Sequence, residues 1–382
     1  MENLTGVTLL CVAGFAVNAS AQDMQVEPAP AYGPTSQLAY DRSNIMGEGN
    51  LTAGIWYSQA EQVSLSLGIE QSKLFGTDEN MRLSFEASAF TQNLQLTLVD
   101  PDFYEGAYSR QLAFSLYNAT PNKSQNGDYS FSGGEASISF GRALSNGVSF
   151  SFGAGVNESR IQDSATLPTF ISDYIALEGE NTTTVFTFAN LLLDRTDGGA
   201  RPMRGYQIGV GTELGTVEGT VYTKNEIAAH HYTPFGDSVR LHVRGNIAAG
   251  SVLGDGPYPI FENYFAGGPG SVRGYAQNSL GPTSSIPESS KLAYTGATVR
   301  VTGGAELSTK LLDAEDVYGL AYFDFGNVFA DDVDTSDLRT SVGLGVTWDS
   351  PIGPISVYYS YPLNDQATDN VEQLQFTLGA QF

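Results

Sequence analysis

The sequence has one cysteine, few basic residues and no long apolar run after its first residues. With Cys11 as the single cysteine, no disulfide can form within the chain. Lys and Arg number 18 against 42 Asp and Glu, and the formal net charge is −24. This balance argues against nucleic-acid binding, because phosphates need positive partners. No apolar run of about 18 residues follows the N-terminus, so no transmembrane helix is predicted.

Glycine and aromatic residues are plentiful instead. The chain has 43 Gly, 20 Tyr and 21 Phe in 382 residues, and its mean hydropathy is −0.14. A transmembrane β-barrel fits these values, because its lipid-facing and lumen-facing residues alternate and average out. A soluble β-sandwich or propeller has a similar composition, so composition alone leaves both open.

The N-terminus has the composition of an export signal. Residues 7–17 are apolar and are followed by Ala19-Ser20-Ala21, which is typical of a secretory signal peptide cleaved before Gln22, although no Lys or Arg precedes the apolar run. We predict a signal peptide over residues 1–21. Residues 22–49 are rich in proline, glycine and polar residues, and we predict a flexible periplasmic lead there.

From residue 50 onward, apolar side chains recur at every second position. The clearest runs are Val63, Leu65, Leu67 and Ile69, then Val342, Leu344, Val346 and Trp348, and finally Leu374, Phe376 and Leu378. The opposite face carries mostly Ser, Gly, Thr and Gln, which suits a hydrated lumen rather than the charged exterior of a sandwich. We therefore predict an all-β fold, a transmembrane antiparallel β-barrel over residues 50–382. At roughly 20 residues per strand and turn it would have about 16 strands.

One glycine-rich stretch, AGGPGSVRGYAQNSLGP at residues 266–282, stands out from this periodicity. Its glycines allow positive φ angles, so we expect a sharply folded loop. The loop would present the motif Val272, Arg273, Gly274 and Tyr275. Because a guanidinium prefers paired carboxylates, Arg273 should meet acids wherever the loop lies.

Two strands place an acid on the small-polar face. Glu306 follows apolar Ala305 and precedes apolar Leu307, while Asp324 lies between Phe323 and Phe325. Both carboxylates therefore point into the predicted lumen. They would be partners of Arg273 if the loop enters the barrel, or separately hydrated charges if it does not.

Several short motifs follow one another in the second half of the chain. They are DRTD at 194–197, FAGG and VRGY between 265 and 275, FDFGNVF at 323–329, SPIGP at 350–354 and YPLN at 361–364. Over residues 50–382 the chain resembles the barrel of the BamA/TamA outer-membrane assembly superfamily. The resemblance implies a sixteen-stranded barrel in the bacterial outer membrane. It also implies that a long extracellular loop tucks into the lumen and that Arg273 pairs with Glu306 and Asp324.

The resemblance further implies a gate between the first and last strands. Leu51 and Ile55 lie on the first strand, and Phe376, Gly379 and Phe382 lie on the last, which we expect to run from residue 371 to the terminal aromatic. Gly379 either weakens this seam or only relieves crowding. The implied function is the assembly and insertion of other outer-membrane proteins, through the gate and through local membrane thinning.

The implied partners are outer-membrane lipids, lipopolysaccharide and unfolded outer-membrane proteins. Members of this superfamily place POTRA domains before the barrel, and residues 22–49 leave no room for one. An accessory periplasmic or lipoprotein partner therefore stays open. Two alternative functions also remain: a secretion pore of the two-partner type and a passive barrel.

Nothing in the sequence favours an enzyme. The three histidines are His230, His231 and His242, and the adjacent pair would point to opposite faces of a strand, which is poor geometry for one metal ion. No Ser/His/Asp arrangement is apparent. We expect no catalytic residue, no metal and no cofactor.

Overall fold

The structure, a computed structural model, describes residues 49–382 apart from positions 60, 75–76, 121–128, 146, 163–166, 199–200, 237, 288, 312–315, 331, 351–352 and 382. The predicted signal peptide and nearly all of the predicted lead lie outside the described residues, as does Phe382. The first strand begins at Gly49, the last residue that we assigned to the lead.

Twenty strands and one α-helix follow one another in the described part of the chain. They are β1 (Gly49–Ser58), β2 (Gln62–Gln71), β3 (Asn80–Ala87), β4 (Thr91–Asp100), β5 (Ser109–Ala119), β6 (Ser130–Ser145), β7 (Val148–Gln162), α1 (Thr169–Glu178), β8 (Asn181–Asp194), β9 (Gly205–Val217), β10 (Thr220–Phe235), β11 (Val239–Val252), β12 (Gly274–Tyr275), β13 (Thr283–Ser285), β14 (Leu292–Tyr294), β15 (Val299–Lys310), β16 (Val317–Phe329), β17 (Arg339–Ser350), β18 (Gly353–Pro362), β19 (Val371–Glu372) and β20 (Leu374–Gln381).

Sixteen of these strands close into one antiparallel barrel. Each of β1–β11, β15–β18 and β20 pairs with the next in that order, and β20 pairs with β1. The predicted fold class is therefore confirmed. An even strand count brings the first and last strands together, so the sheet closes on itself.

The two faces of the barrel follow the period of two in the sequence. On β2, Val63, Leu65 and Leu67 are each about half exposed on the outside, where a membrane protein meets lipid. On β18 the outward Tyr359 alternates with Ser360, which is fully buried inside. In the described residues, no helix has the length and apolarity needed to cross a membrane.

The three longest connections lie at one end of the barrel. They are residues 163–180, 253–298 and 363–373, and the first of them contains α1. Outer-membrane barrels have short periplasmic turns and longer extracellular loops, so this end is extracellular.

The connection at residues 253–298 turns back into the barrel, and we call it the lumen loop. It contains a 3₁₀ helix at Ile260–Glu262 and the short strands β12, β13 and β14. Its apolar side chains, with inner residues of the wall, form a buried cluster of Ala248, Tyr264, Ala266, Val272, Tyr275, Leu280, Ala297 and Val328. A second cluster packs α1 against Phe261 of the loop. The lumen loop thus occupies the interior and is joined to the extracellular helix.

Candidate functional site

The lumen loop contacts the barrel wall at Gly274, where the backbone conformation and the close approach both require glycine. Gly274 has φ of 97°, in the left-handed region that side chains avoid. A Cβ atom there would lie 2.9 Å from the Cβ of Ser360 on β18. Glycine at this position therefore lets the loop lie directly against the barrel wall and directs the preceding Arg273 at its acids.

Arg273 binds both acids that the strand pattern turned inward. Its Nε and Nη2 atoms donate to Asp324 at 2.7 and 3.0 Å, and Nη1 donates to Glu306 at 2.7 Å. The contact with Asp324 on β16 is bidentate, and Glu306 on β15 takes the third nitrogen. The three side chains form what we call the lumen triad.

The triad is enclosed. Arg273 is 4% exposed and Asp324 is fully buried. The Arg273 guanidinium carbon lies 3.4 Å from the ring centre of Tyr322 and 5.3 Å from that of Tyr358, which adds cation–π attraction. Burial alone would lower the pKa of Arg273, but Asp324 and Glu306 beside it raise that pKa above its ordinary value. The guanidinium therefore stays charged at any physiological pH.

Sequence reasoning did not single out Arg244, a second cation at this point. Arg244 on β11 donates to Asp324 at 3.0 Å and to the carbonyl oxygens of Gly270 and Ser271 at 2.7 and 2.8 Å. Its inward direction follows from apolar Val243 beside it on the strand. Two cations around Asp324 balance the cost of burying its charge.

The rest of the motif is held by side-chain packing and by backbone hydrogen bonds. Val272 and Tyr275 are fully buried in the loop cluster. The carbonyl oxygen of Arg273 accepts from the hydroxyl of Ser341 on β17 at 2.5 Å. Gly274 and Tyr275, as β12, pair with β19. Each motif residue is thus fixed either by packing or by hydrogen bonds.

The last strand is not continuous, and our expectation of one strand from residue 371 onward is wrong. Val371 and Glu372 form β19 on β12, and the barrel strand β20 begins only at Leu374. The lumen loop captures β19 because the unpaired backbone of Gly274 and Tyr275 offers an edge to it inside the barrel. The segment before β20 therefore belongs to the loop rather than to the wall.

The seam between β1 and β20 is short. All of β1, residues 49–58, pairs with β2. In the described residues, the pairing with β20 joins residues 54–58 of β1 to residues 377–381. Leu51 and Ile55 are exposed on the outer face, 69% and 42% respectively, and Phe376 lies on the same face. The ring of Phe376 stacks on Tyr57 with 4.8 Å between centroids. Gly379 lies opposite Trp56 within the seam.

The three histidines lie on different faces of the barrel wall, as expected from the alternation of side chains along a strand. His230 and His242 face inward on adjacent strands, with Nδ1 of the first 3.0 Å from Nε2 of the second. His231 points to the other face and contacts Thr233. No group of three or more His, Cys, Asp or Glu side chains placed to hold a metal occurs in the described part of the chain.

The periplasmic turn at residues 195–204 reaches across the barrel mouth. Its Arg201 pairs with Asp349 at the periplasmic end of β17, with Nε at 2.8 Å from Oδ2 and Nη2 at 3.2 Å from Oδ1. The same guanidinium carbon lies 3.9 Å from the ring centre of Tyr318. The carbonyl of Pro202 accepts from Arg240 on β11. The turn and the lumen loop therefore narrow the lumen at two levels.

Comparison with known proteins matches this architecture. An Omp85 superfamily domain model matches residues 73–382. The chain is 26% identical over 406 residues to the outer membrane protein assembly factor BamA of Neisseria meningitidis serogroup B, a match that covers 94% of this chain and 50% of that protein. The chain thus spans about half the length of this relative.

Solved barrels agree in fold. BamA from Haemophilus ducreyi lacking POTRA domains 1–3 superposes with a TM-score of 0.79 at 20% identity, covering 87% of this chain and 70% of that one. CdiB from Acinetobacter baumannii gives 0.57 at 12% identity, covering 87% and 59%. The closed sixteen-stranded barrel and the family match lead to one assignment: the chain is an outer-membrane β-barrel protein and belongs to the Omp85 superfamily.

Proposed function

We propose that this barrel helps other β-barrel proteins to fold into the outer membrane by opening at the seam between β1 and β20. The observation that carries the proposal is the short pairing of that seam. Residues 54–58 hold β1 to β20, whereas β10 and β11 pair along residues 222–235 and 239–252. Opening the seam therefore breaks far fewer interstrand hydrogen bonds than opening the wall between β10 and β11, although the neighbouring β18–β20 pairing is equally short.

An incoming chain could add to the exposed edge by β-augmentation. Residues 49–53 of β1 pair with β2 on one side, and the register with β20 covers residues 54–58. Unpaired backbone groups cost several kcal/mol each in hydrocarbon, so an unfolded strand gains by pairing with such a template. The proposed substrates are therefore unfolded outer-membrane proteins.

The proposal includes membrane thinning beside the seam. β20 has 8 residues and β1 has 10, while β6 and β10 have 16 each. At about 3.3 Å per residue the seam strands are roughly half as long as the opposite wall. A shorter hydrophobic wall draws lipid into a thinner layer and lowers the barrier to insertion there. Outer-membrane lipid and lipopolysaccharide are thus proposed partners of the outer face.

The lumen triad has a supporting role in this proposal. It ties the lumen loop to β15 and β16 and so holds the barrel in shape from within. The site offers no activated nucleophile and no paired acid and base poised for chemistry, and we propose a non-enzymatic function.

A secretion pore would need a clear lumen. The lumen loop packs inside the barrel against residues of the wall, and Arg201 of the turn at residues 195–204 pairs with Asp349 at the periplasmic end of β17. These contacts favour insertion at the seam over passage through the lumen. Conductance in planar bilayers separates the two functions, because a secretion pore must conduct when the loop is displaced.

The test is reconstitution with a lockable seam. Purified protein in phosphatidylcholine liposomes should accelerate the folding of a urea-unfolded small barrel protein relative to empty liposomes. Ser58 and Thr377 lie directly opposite each other across the seam, at a separation that suits a disulfide. In a Cys11→Ser background, Ser58→Cys with Thr377→Cys should abolish the acceleration when oxidised and restore it when reduced.

A matched lock within a hairpin serves as the control. Thr347 and Ser356 face each other on β17 and β18, with their hydroxyl oxygens 3.0 Å apart. A disulfide between cysteines at these two positions would link β17 to β18 without crossing the seam, and it should leave the acceleration unchanged. Full activity of the oxidised seam lock would rule out gating, and no acceleration by the unmodified protein would rule out the proposed function.

A further inference from the structure

Gln375 on β20 connects the lumen loop to the seam strand itself. The side chain points inward and is 1% exposed, while Leu374 and Phe376 on either side face outward. It lies just before the seam register, which begins at Thr377. Gln375 is therefore buried at the point where β20 has β18 as its barrel neighbour and its pairing with β1 has not yet begun.

Both ends of the Gln375 amide are bound to the loop motif. The backbone N–H of Gly274 donates to Oε1 at 3.0 Å, and Nε2 donates to the carbonyl oxygen of Tyr275 at 2.8 Å. The amide thus binds β12 as a peptide group of a neighbouring strand would: its oxygen accepts from one residue of β12 and its nitrogen donates to the next. A glutamine amide carries its donor and its acceptor on separate atoms, so this one side chain makes both bonds.

The segment that leads into β20 also holds β12. Gly274 and Tyr275 pair with β19, and the N–H of Ala276 donates to the carbonyl of Asn370 at 2.8 Å. The loop motif therefore contacts the chain both before and within β20. Any displacement of Gly274 and Tyr275 must break the Gln375 bonds or move the strand.

We propose that Gln375 is a positioning residue that ties the seated lumen loop to β20 and thereby keeps the β1–β20 seam closed. While the loop is seated, the start of β20 is fixed in register with β18 and its following residues reach β1. When the loop leaves, the buried amide loses both partners in the loop motif and keeps a 3.4 Å contact of Nε2 with Glu372 Oε2. β20 is then free to separate from β1. The consequence for insertion rests on the proposed function, whereas the effect on the seam does not.

Hydrogen exchange of the full-length protein in lipid nanodiscs tests the effect on the seam. Gln375→Met keeps the length of the side chain and removes both hydrogen bonds. We expect amides of residues 374–381 to exchange roughly tenfold faster or more, because two buried polar groups of the loop lose their partner. Amides of β10, in the opposite wall, should exchange at the wild-type rate.

Two further variants sharpen the result. Gln95→Met makes the same change on the lumen face of β4, where Gln95 lies opposite Ser84 and Ser115, and should leave exchange in β20 unchanged. Gln375→Glu keeps the acceptor for Gly274, loses the donor to Tyr275 and brings a second carboxylate close to Glu372, so it should accelerate exchange in β20 as well. It also provides the comparison if Gln375→Met does not fold.

Unchanged exchange in β20, or equal acceleration throughout the barrel, would overturn the proposal. The liposome assay separates it from the proposed function. If the wild-type protein accelerates folding and exchange in β20 is unaffected by Gln375→Met, the coupling is wrong and the proposed function stands. If the wild type gives no acceleration but β20 loosens, the coupling stands without that function.

Discussion

The wall around β10 and the seam around β20 are built by opposite means. β10 pairs with both neighbours along nearly its whole length, and its inner face carries Lys224, which is fully buried against Glu262 of the lumen loop at 2.9 Å. β20 has short pairings on both edges and depends on Gln375, the loop motif and an outer aromatic stack. The same lumen loop contacts both regions.

The difference shows what the loop contributes in each place. Along β10 the continuous ladder of backbone hydrogen bonds already fixes the strand, so the buried ion pair there fixes the loop. Along β20 the ladder is short, so the loop fixes the strand. This difference supports the proposed opening at the seam, because one junction of the barrel is held by far fewer backbone hydrogen bonds than the wall at β10.

The largest expected effect comes from removing the arginine of the lumen triad. Arg273→Ala leaves the buried carboxylate of Asp324 with Arg244 as its only cation among the ion pairs described, and Glu306 loses its close partner. We expect a loss of about 3–5 kcal/mol in unfolding free energy. The melting temperature should fall, and limited proteolysis should cut the loop within residues 254–282. If neither changes, the triad is not structural.

Lys224 tests the opposite wall. Lys224→Met should cost about 3 kcal/mol, because it removes the cation that pairs with the buried carboxylate of Glu262, which lies near the buried Glu213. Removing both charges with Lys224→Met and Glu262→Gln should recover much of that loss, since no uncompensated charge of the pair remains. Urea unfolding in lipid vesicles measures both. A double variant as unstable as the single one would show that the ion pair is not the source of the loss.

The lumen triad and the Lys224–Glu262 ion pair differ in how far the sequence predicts them. Glu306 and Asp324 could be assigned to the lumen because each lies between apolar residues on a strand with a period of two. Lys224 on β10 also alternates with outward residues, but its partner Glu262 lies in a loop without periodicity. Side-chain direction is thus readable from strands, whereas the partner of a loop residue depends on the path of the loop.

The same limit explains why Gln375, Arg244 and Arg201 were not singled out. The inward direction of Gln375 follows from Leu374 and Phe376. Its contact with Gly274, however, depends on a positive φ at that glycine and on β19 leaving the wall. Arg201 meets Asp349, 148 residues later, across the barrel mouth. Closure of the barrel brings these residues together, and no local pattern encodes it.

The aromatic stack on the outside of the seam should have a smaller effect. Phe376→Ala removes the stacking on Tyr57, which is worth about 1 kcal/mol. Because the ring faces lipid, no buried cavity is left behind. A double-mutant cycle with Tyr57→Ala isolates the interaction, and exchange of β20 amides should rise a few-fold. Tyr359→Ala, on the outer face of β18, is the control, and an equal response there would show that the stack adds nothing to the seam.

The smallest effect is expected at an exposed ion pair on β2 and β3. Arg82 and Glu70 approach to 2.6 Å, but their side chains are 60% and 39% exposed. Solvent and salt screen such a pair, so Arg82→Ala should cost at most about 0.5 kcal/mol, and less still at high salt. The comparison with Arg273→Ala makes the same substitution at an exposed arginine with one acidic partner and at a buried arginine with two. A loss near that of Arg273→Ala would mean that enclosure in the lumen is not what makes the triad strong.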